Sequence, residues 1–76
     1  MEKRLFKVYR VCIYDNGEGG LSTRRTYVGD TRAVSEGKAR VNVERRIHGK
    51  ALYGGMIVKD MGHDCSITIY YEAEED

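Results

Sequence analysis

The sequence predicts an α+β fold of order ββαββ, a four-stranded, mainly antiparallel sheet with one helix packed on one face. Three observations predict it. A glycine-rich break, "DNGEGG" (15–20), separates two segments rich in β-branched and aromatic residues. A third segment near the C-terminus, "CSITIYYEA", alternates apolar and polar residues with a period of two. Between them, "ARVNVERRIHG" (39–49) carries apolar residues four apart, between a capping serine and a glycine.

The first hairpin is expected from strands at about 4–14 and 21–29. Asn16 and the glycines of the break tolerate positive φ, so the chain can reverse there. Leu5, Tyr9, Val11 and Ile13 share one face of the first strand, and Phe6, Val8, Cys12 and Tyr14 populate the other. Apolar content on both faces suits a central strand whose second face is covered by loops and tyrosine rings. It also suits one that meets a partner.

The middle segment reads as a strand or as a helix. As a strand, its inward row would be Ala39, Val41, Val43, Arg45 and Ile47, burying an arginine. As a helix over about 36–48, Ala39, Val43 and Ile47 form the buried stripe and the guanidinium groups stay wet. Ser35 is a suitable N-cap, Glu36 suits the first turn, and Gly49 suits a left-handed C-cap. Arg45, Arg46 and His48 lie near the negative end of the helix dipole. The helix is therefore preferred, with Asp30 as an alternative earlier cap. Strands at about 55–60 and 65–73, joined by the turn "MGHD", close the chain as a second hairpin.

Seventy-six residues make one small domain, 1–76, which buries only about 60% of its unfolded surface and leaves little room for a pocket beside the core. No apolar run approaches the ~20 residues of a spanning helix, and the N-terminus lacks the apolar centre of a signal peptide. A cytoplasmic protein without a membrane partner is expected. Cys12 and Cys65 are too few for a disulfide scaffold and are expected as free, buried thiols.

The net charge of +1 hides an asymmetry. Residues 22–50 hold eight Lys and Arg against three acids, whereas six acids and no Lys or Arg lie from Asp60 onward. The two blocks are expected to neutralise one another across the fold or to keep the surface solvated. The terminal acids Glu74, Glu75 and Asp76 are expected to be solvated.

Little suggests catalysis. His63, Asp64 and Cys65 place a base, an acid and a thiol in sequence, but at a turn with no oxyanion donors implied. Neither cysteine has the short spacing of a structural zinc site, and "GEGG" leads to a strand rather than to a helix N-terminus. No enzymatic activity, cofactor, metal or small-molecule substrate is expected.

Binding is the remaining class. The candidate contact residues are Arg24, Arg25, Lys38, Arg40, Val41, Arg45 and Arg46. Lys38 and Arg45 should point away from the sheet, Arg40 and Arg46 should flank the buried stripe, and Arg24 and Arg25 should project from opposite sheet faces. Val41, opposite the stripe, would be the apolar centre of a small contact patch. Six tyrosines are expected in the core or at strand edges first.

The ββαββ order and small size resemble accessory proteins of phages and mobile elements, many of which bind and block another macromolecule; the likeness rests on the fold alone. The apolar content on both faces of the first strand points to a non-enzymatic module that contacts a protein partner or a second copy of itself, as a homodimer through the sheet face the helix leaves open. Nucleic acid bound through residues 22–50 is the alternative. The acids after Lys59 argue against it wherever they lie near the basic surface.

Overall fold

The computed structural model describes residues 2–52, 56–62 and 65–76. Strands β1 (Arg4–Asp15) and β2 (Leu21–Ala33) precede helix α1 (Glu36–His48), and strands β3 (Met56–Gly62) and β4 (Cys65–Glu75) follow it. All strand pairs are antiparallel, in the order β2-β1-β4-β3. The ββαββ architecture is thus the one the sequence predicts. No helix among the described residues is long and apolar enough to cross a membrane.

Residues 39–49 are helical. The Ser35 hydroxyl accepts from Lys38 N at 3.2 Å, and Gly49 takes a left-handed φ of 78° while its N–H donates to the Arg45 carbonyl. A start at Asp30 is ruled out, because β2 runs on to Ala33, further than the expected 29. In the first turn, Asn16 is the hub. Its side-chain oxygen accepts from Glu18 N and Gly20 N, while Gly17 and Gly19 take φ near 80°. β3 and β4 also extend past their expected ends, to Gly62 and Glu75, so Met61 and Gly62 belong to a strand rather than to the turn. His63 and Asp64, and with them the "HDC" trio as a unit, lie outside the described residues, as does Tyr53.

The core joins Phe6, Val8, Ala33, Ala39, Val43 and Tyr71, with Val28, Leu52, Ile69 and Ala73 packed around it. The helical stripe differs from expectation at its end. Ile47 is 43% exposed, whereas Glu44 is fully buried. Steps of four residues advance about 40° around a helix. The chain returning through Leu52 covers the side that holds Glu44, and the Glu44 Oε1 accepts from Leu52 N at 3.2 Å. Burial therefore follows the returning chain rather than the 39–43–47 row.

One irregularity sets which side chains face the helix. Val8 pairs with Gly29 but Tyr9 pairs with Tyr27, so Val28 is an extra residue in β2. Gly29 supports this bulge with φ 146°. Val28 packs on the core. Beyond the bulge the facing of β2 is reversed relative to uninterrupted alternation. Arg24, opposite Cys12, consequently lies on the helix side, and Arg25, opposite Val11, lies on the back.

Lengths fix the coverage. Thirteen helical residues span roughly 20 Å, whereas a 12-residue strand spans roughly 40 Å. The helix covers only the half of the sheet that contains Phe6, Val8, Ala33 and Ala73. The other half, built from residues 10–15, 21–27, 56–62 and 65–70, projects beyond it, with Ile69 at the boundary, packed against the core. β3 has no fully buried residue.

Candidate functional site

The register places the uncovered half in rows. Arg10, opposite Tyr71, forms the first row beside the helix end. Arg24, Cys12, Ile69 and Ile57 form the second, and Tyr14, Ile67 and Lys59 the third. These residues share the helix side of the sheet, because cross-strand partners face the same way. Cys12, Ile57, Ile67 and Ile69 are half-buried and Tyr14 is exposed. The result is an apolar floor with Arg10, Arg24 and Lys59 at its margins.

The same alternation partitions charge. On the helix side, the one sheet carboxylate among the described residues is Glu75, paired with Arg4 at 2.9 Å. The back carries Asp15, Asp30, Asp60, Glu72 and Glu74 against Lys7, Arg25 and Arg32, with Asp76 beyond β4 reaching Lys7. The terminal acids Glu74, Glu75 and Asp76 are exposed, as expected, and are ion-paired as well. Glu72 and Glu74 pair with Arg25, Glu75 with Arg4, and Asp76 with Lys7. They sit in or beside β4, held by cross-strand cations.

The seven candidate residues do not form one surface. Arg24 belongs to the floor. Arg25 lies on the back, where its guanidinium sits 3.7 Å from the Tyr9 ring centroid and reaches Glu72 and Glu74. Lys38 and Arg45 are exposed on the outer face of α1. Arg40 turns toward Glu44, with 3.7 Å between Nε and Oε2; neither atom has a hydrogen-bond partner among the described residues. Arg46 donates to the Asp30 carbonyl at 3.4 Å, beside Asn42, which contacts the Arg32 carbonyl. The helix thereby covers part of the outer edge of β2. Val41 is half-buried rather than projecting as an apolar centre. The floor residues Arg10, Cys12, Tyr14, Ile57, Lys59, Ile67 and Ile69 are absent from that candidate set. The mismatch between helix and strand length could have found them; the bulge that puts Arg24 among them could not be read.

The back face of β1 is largely covered by its neighbours. Tyr9 and Tyr27 meet edge-on at 5.8 Å, Arg25 lies over Tyr9, and Val11 is buried. The Tyr27 hydroxyl donates to the Asp30 carboxylate, which raises its pKa above the ordinary tyrosine value. At the boundary of the two halves, the Tyr71 hydroxyl and His48 Nε2 share a hydrogen bond of 2.7 Å. Burial raises the Tyr71 pKa.

Cys12 and Cys65 are both half-buried, not fully buried, and the Cys65 thiol donates to the Asn16 carbonyl at 3.6 Å. Cys12 stands opposite Ile69, four residues from Cys65, or roughly 13 Å along β4. That separation exceeds the ~7 Å a disulfide spans. No cluster of three or more metal-ligating side chains occurs among the described residues. Comparison of the chain with models of protein families, with curated proteins and with solved structures finds no match.

Proposed function

We propose that this protein is a non-enzymatic binding module that holds an acidic, apolar-centred segment of another protein on the uncovered helix side of its sheet. The observation that carries this reading is the floor of Cys12, Tyr14, Ile57, Ile67 and Ile69, with Arg10, Arg24 and Lys59 around it and no carboxylate among them. An apolar floor rewards burial of aliphatic or aromatic side chains. The cations at its margins select acidic flanks and steer their approach.

A second copy fits this surface poorly, because isologous pairing would bring the same cations face to face. The back face offers less to a homodimer than the two-sided composition of β1 implies, since Arg25, Tyr27 and Tyr9 already cover its centre. For nucleic acid, the partition of charge removes one objection: most of the C-terminal acids face away from the floor. The floor, however, is mainly aliphatic. Among its described residues Tyr14 alone offers a ring on which a base could stack.

The test is selection of random peptides displayed on phage against the wild-type protein and against a folded Arg10→Glu, Arg24→Glu, Lys59→Glu variant. Acidic peptides with apolar centres should be enriched on the wild type and lost on the variant. Peptides that bind both equally end the reading. So does single-stranded DNA binding that the triple variant abolishes while no peptide is selected, an outcome that would favour the nucleic-acid alternative.

A further inference from the structure

We infer that the groove at the end of the sheet, lined by described residues of both hairpins, is the anchor subsite of this surface, taking one large apolar side chain of the partner. The inference rests on the binding reading above and specifies where the partner's apolar anchor and its acids must stand. The groove has a volume of about 560 Å³, with apolar walls from Tyr14, Leu21, Met61, Cys65 and Ile67 and with Asp15 among its polar ones, a residue that favours an uncharged anchor there. Leu21 and Met61 are 69% and 59% exposed, so two large apolar side chains stand in water at its rim, Leu21 reaching it from the back row it shares with Asp15. Met61 is unbranched and can adapt its shape to an entering side chain. The groove is continuous with the floor, because Tyr14 and Ile67 belong to both.

Charge and spacing specify the occupant. Rows on one face of a sheet repeat every second residue, roughly 6.6 Å apart. The row of Tyr14, Ser22 and Ile67 lines the floor side of the groove; counted from that row, Arg24 is one step away and Arg10 two. A partner segment lying extended along the strands, its anchor over the Tyr14 and Ile67 row of the groove, therefore presents acids to Arg24 and Arg10 two and four residues from the anchor. Acids one and three residues away would point off the floor. The ligand class is an extended peptide with a phenylalanine, leucine or methionine and acids at the second and fourth positions on one side of it.

Fluorescence anisotropy with labelled 12-residue peptides tests this. One set carries Phe with Glu at the second and fourth positions, in both chain directions. A second moves the acids to the first and third positions, and a third replaces Phe with Ala. The in-register peptide in one direction should bind wild type at least about tenfold tighter than the other two. The Leu21→Ser, Met61→Ser variant should lose that tenfold preference for Phe over Ala while keeping the dependence on acids. Its substituted side chains are exposed, and circular dichroism confirms that it folds.

If acidic peptides bind through Arg24 regardless of anchor, acid position or the Leu21 and Met61 substitutions, the subsite is wrong and the binding reading stands. If no peptide binds, or if Arg24→Glu changes nothing, both fall.

Discussion

The two halves of the sheet use the same strands for different ends. In the half beneath the helix, Phe6, Val8, Ala39, Val43 and Tyr71 are buried, and Asn42 and Arg46 cover carbonyls of the β2 edge. In the projecting half, β2 from Leu21 to Tyr27 is exposed, and Val58 stands 64% exposed on β3. A chain of this size has apolar side chains enough for one small core. The rest of its apolar surface lies on a paddle of strands that no element of the described chain covers. Stability should therefore concentrate in one half, and recognition in the other.

The sharpest way to break that comparison is to truncate one apolar side chain in each half. Phe6→Ala removes a fully buried ring from the core and should cost about 3–5 kcal/mol. That is a large share of the roughly 4–11 kcal/mol expected for a domain of this length. Ile67→Ala removes a half-buried side chain from the floor and should cost about 1 kcal/mol or less. Urea unfolding of both variants gives the values. Equal losses would mean that the halves form one core. Native-state hydrogen exchange offers a second reading, with slower exchange expected at Val8 than at Thr23.

Glu44 tests what ties the covered half to the returning chain. A carboxylate that is 0% exposed is costly to bury unless its oxygens are satisfied. Here Oε1 accepts from Leu52 N, while Oε2 has Arg40 Nε at 3.7 Å, too long for a hydrogen bond. Glu44→Ala strands the Leu52 N–H and should destabilise by about 1–3 kcal/mol. Glu44→Gln keeps an acceptor for that N–H and removes the buried charge, so it should cost less. Urea midpoints rank the two. A Gln variant weaker than the Ala variant would show that the charge, not the hydrogen bond, is what the site requires.

The fold was legible because local signals agreed with one another. Ser35 and Gly49 cap the helix as their residue types dictate, and Asn16 organises the first turn as turn chemistry predicts. The site was not legible, for two physical reasons. Residues 24 and 25 are both arginines, and only the extra residue at Val28 decides which faces the floor. A bulge depends on pairing between distant segments, which periodicity within one strand does not contain. Likewise, the apolar spacing of Ala39, Val43 and Ile47 cannot show that Leu52 returns over Glu44. Sequence neighbours in the basic block at 22–50 share no single surface, as the opposite facing expected of Arg24 and Arg25 already implies. In the fold they separate onto the floor, the back face, the outer helix face and the β2 edge.

The smallest effect concerns Tyr71, which stands where the two halves meet. Burial raises its pKa above the ordinary tyrosine value of about 10. A raised folded-state pKa means that the neutral hydroxyl is favoured in the folded chain. The stability linked to it is fully present below about pH 10 and is lost as pH rises through the folded-state value. Tyr27 shifts in the same direction, chiefly through its hydrogen bond to Asp30, but it stands exposed on the back face. Urea midpoints measured from neutral pH to about pH 11 should therefore fall in the wild type above pH 10. Tyr71→Phe cannot ionise. It should be somewhat weaker at neutral pH, having lost the hydrogen bond to His48, yet decline less steeply in alkali. Tyr27→Phe serves as the comparison from the solvent-facing side, where water screens the group and the slope should change less. If Tyr71→Phe and the wild type decline in parallel, the ring is not sealed by the helix, and the boundary between the covered and the open half lies further toward Phe6.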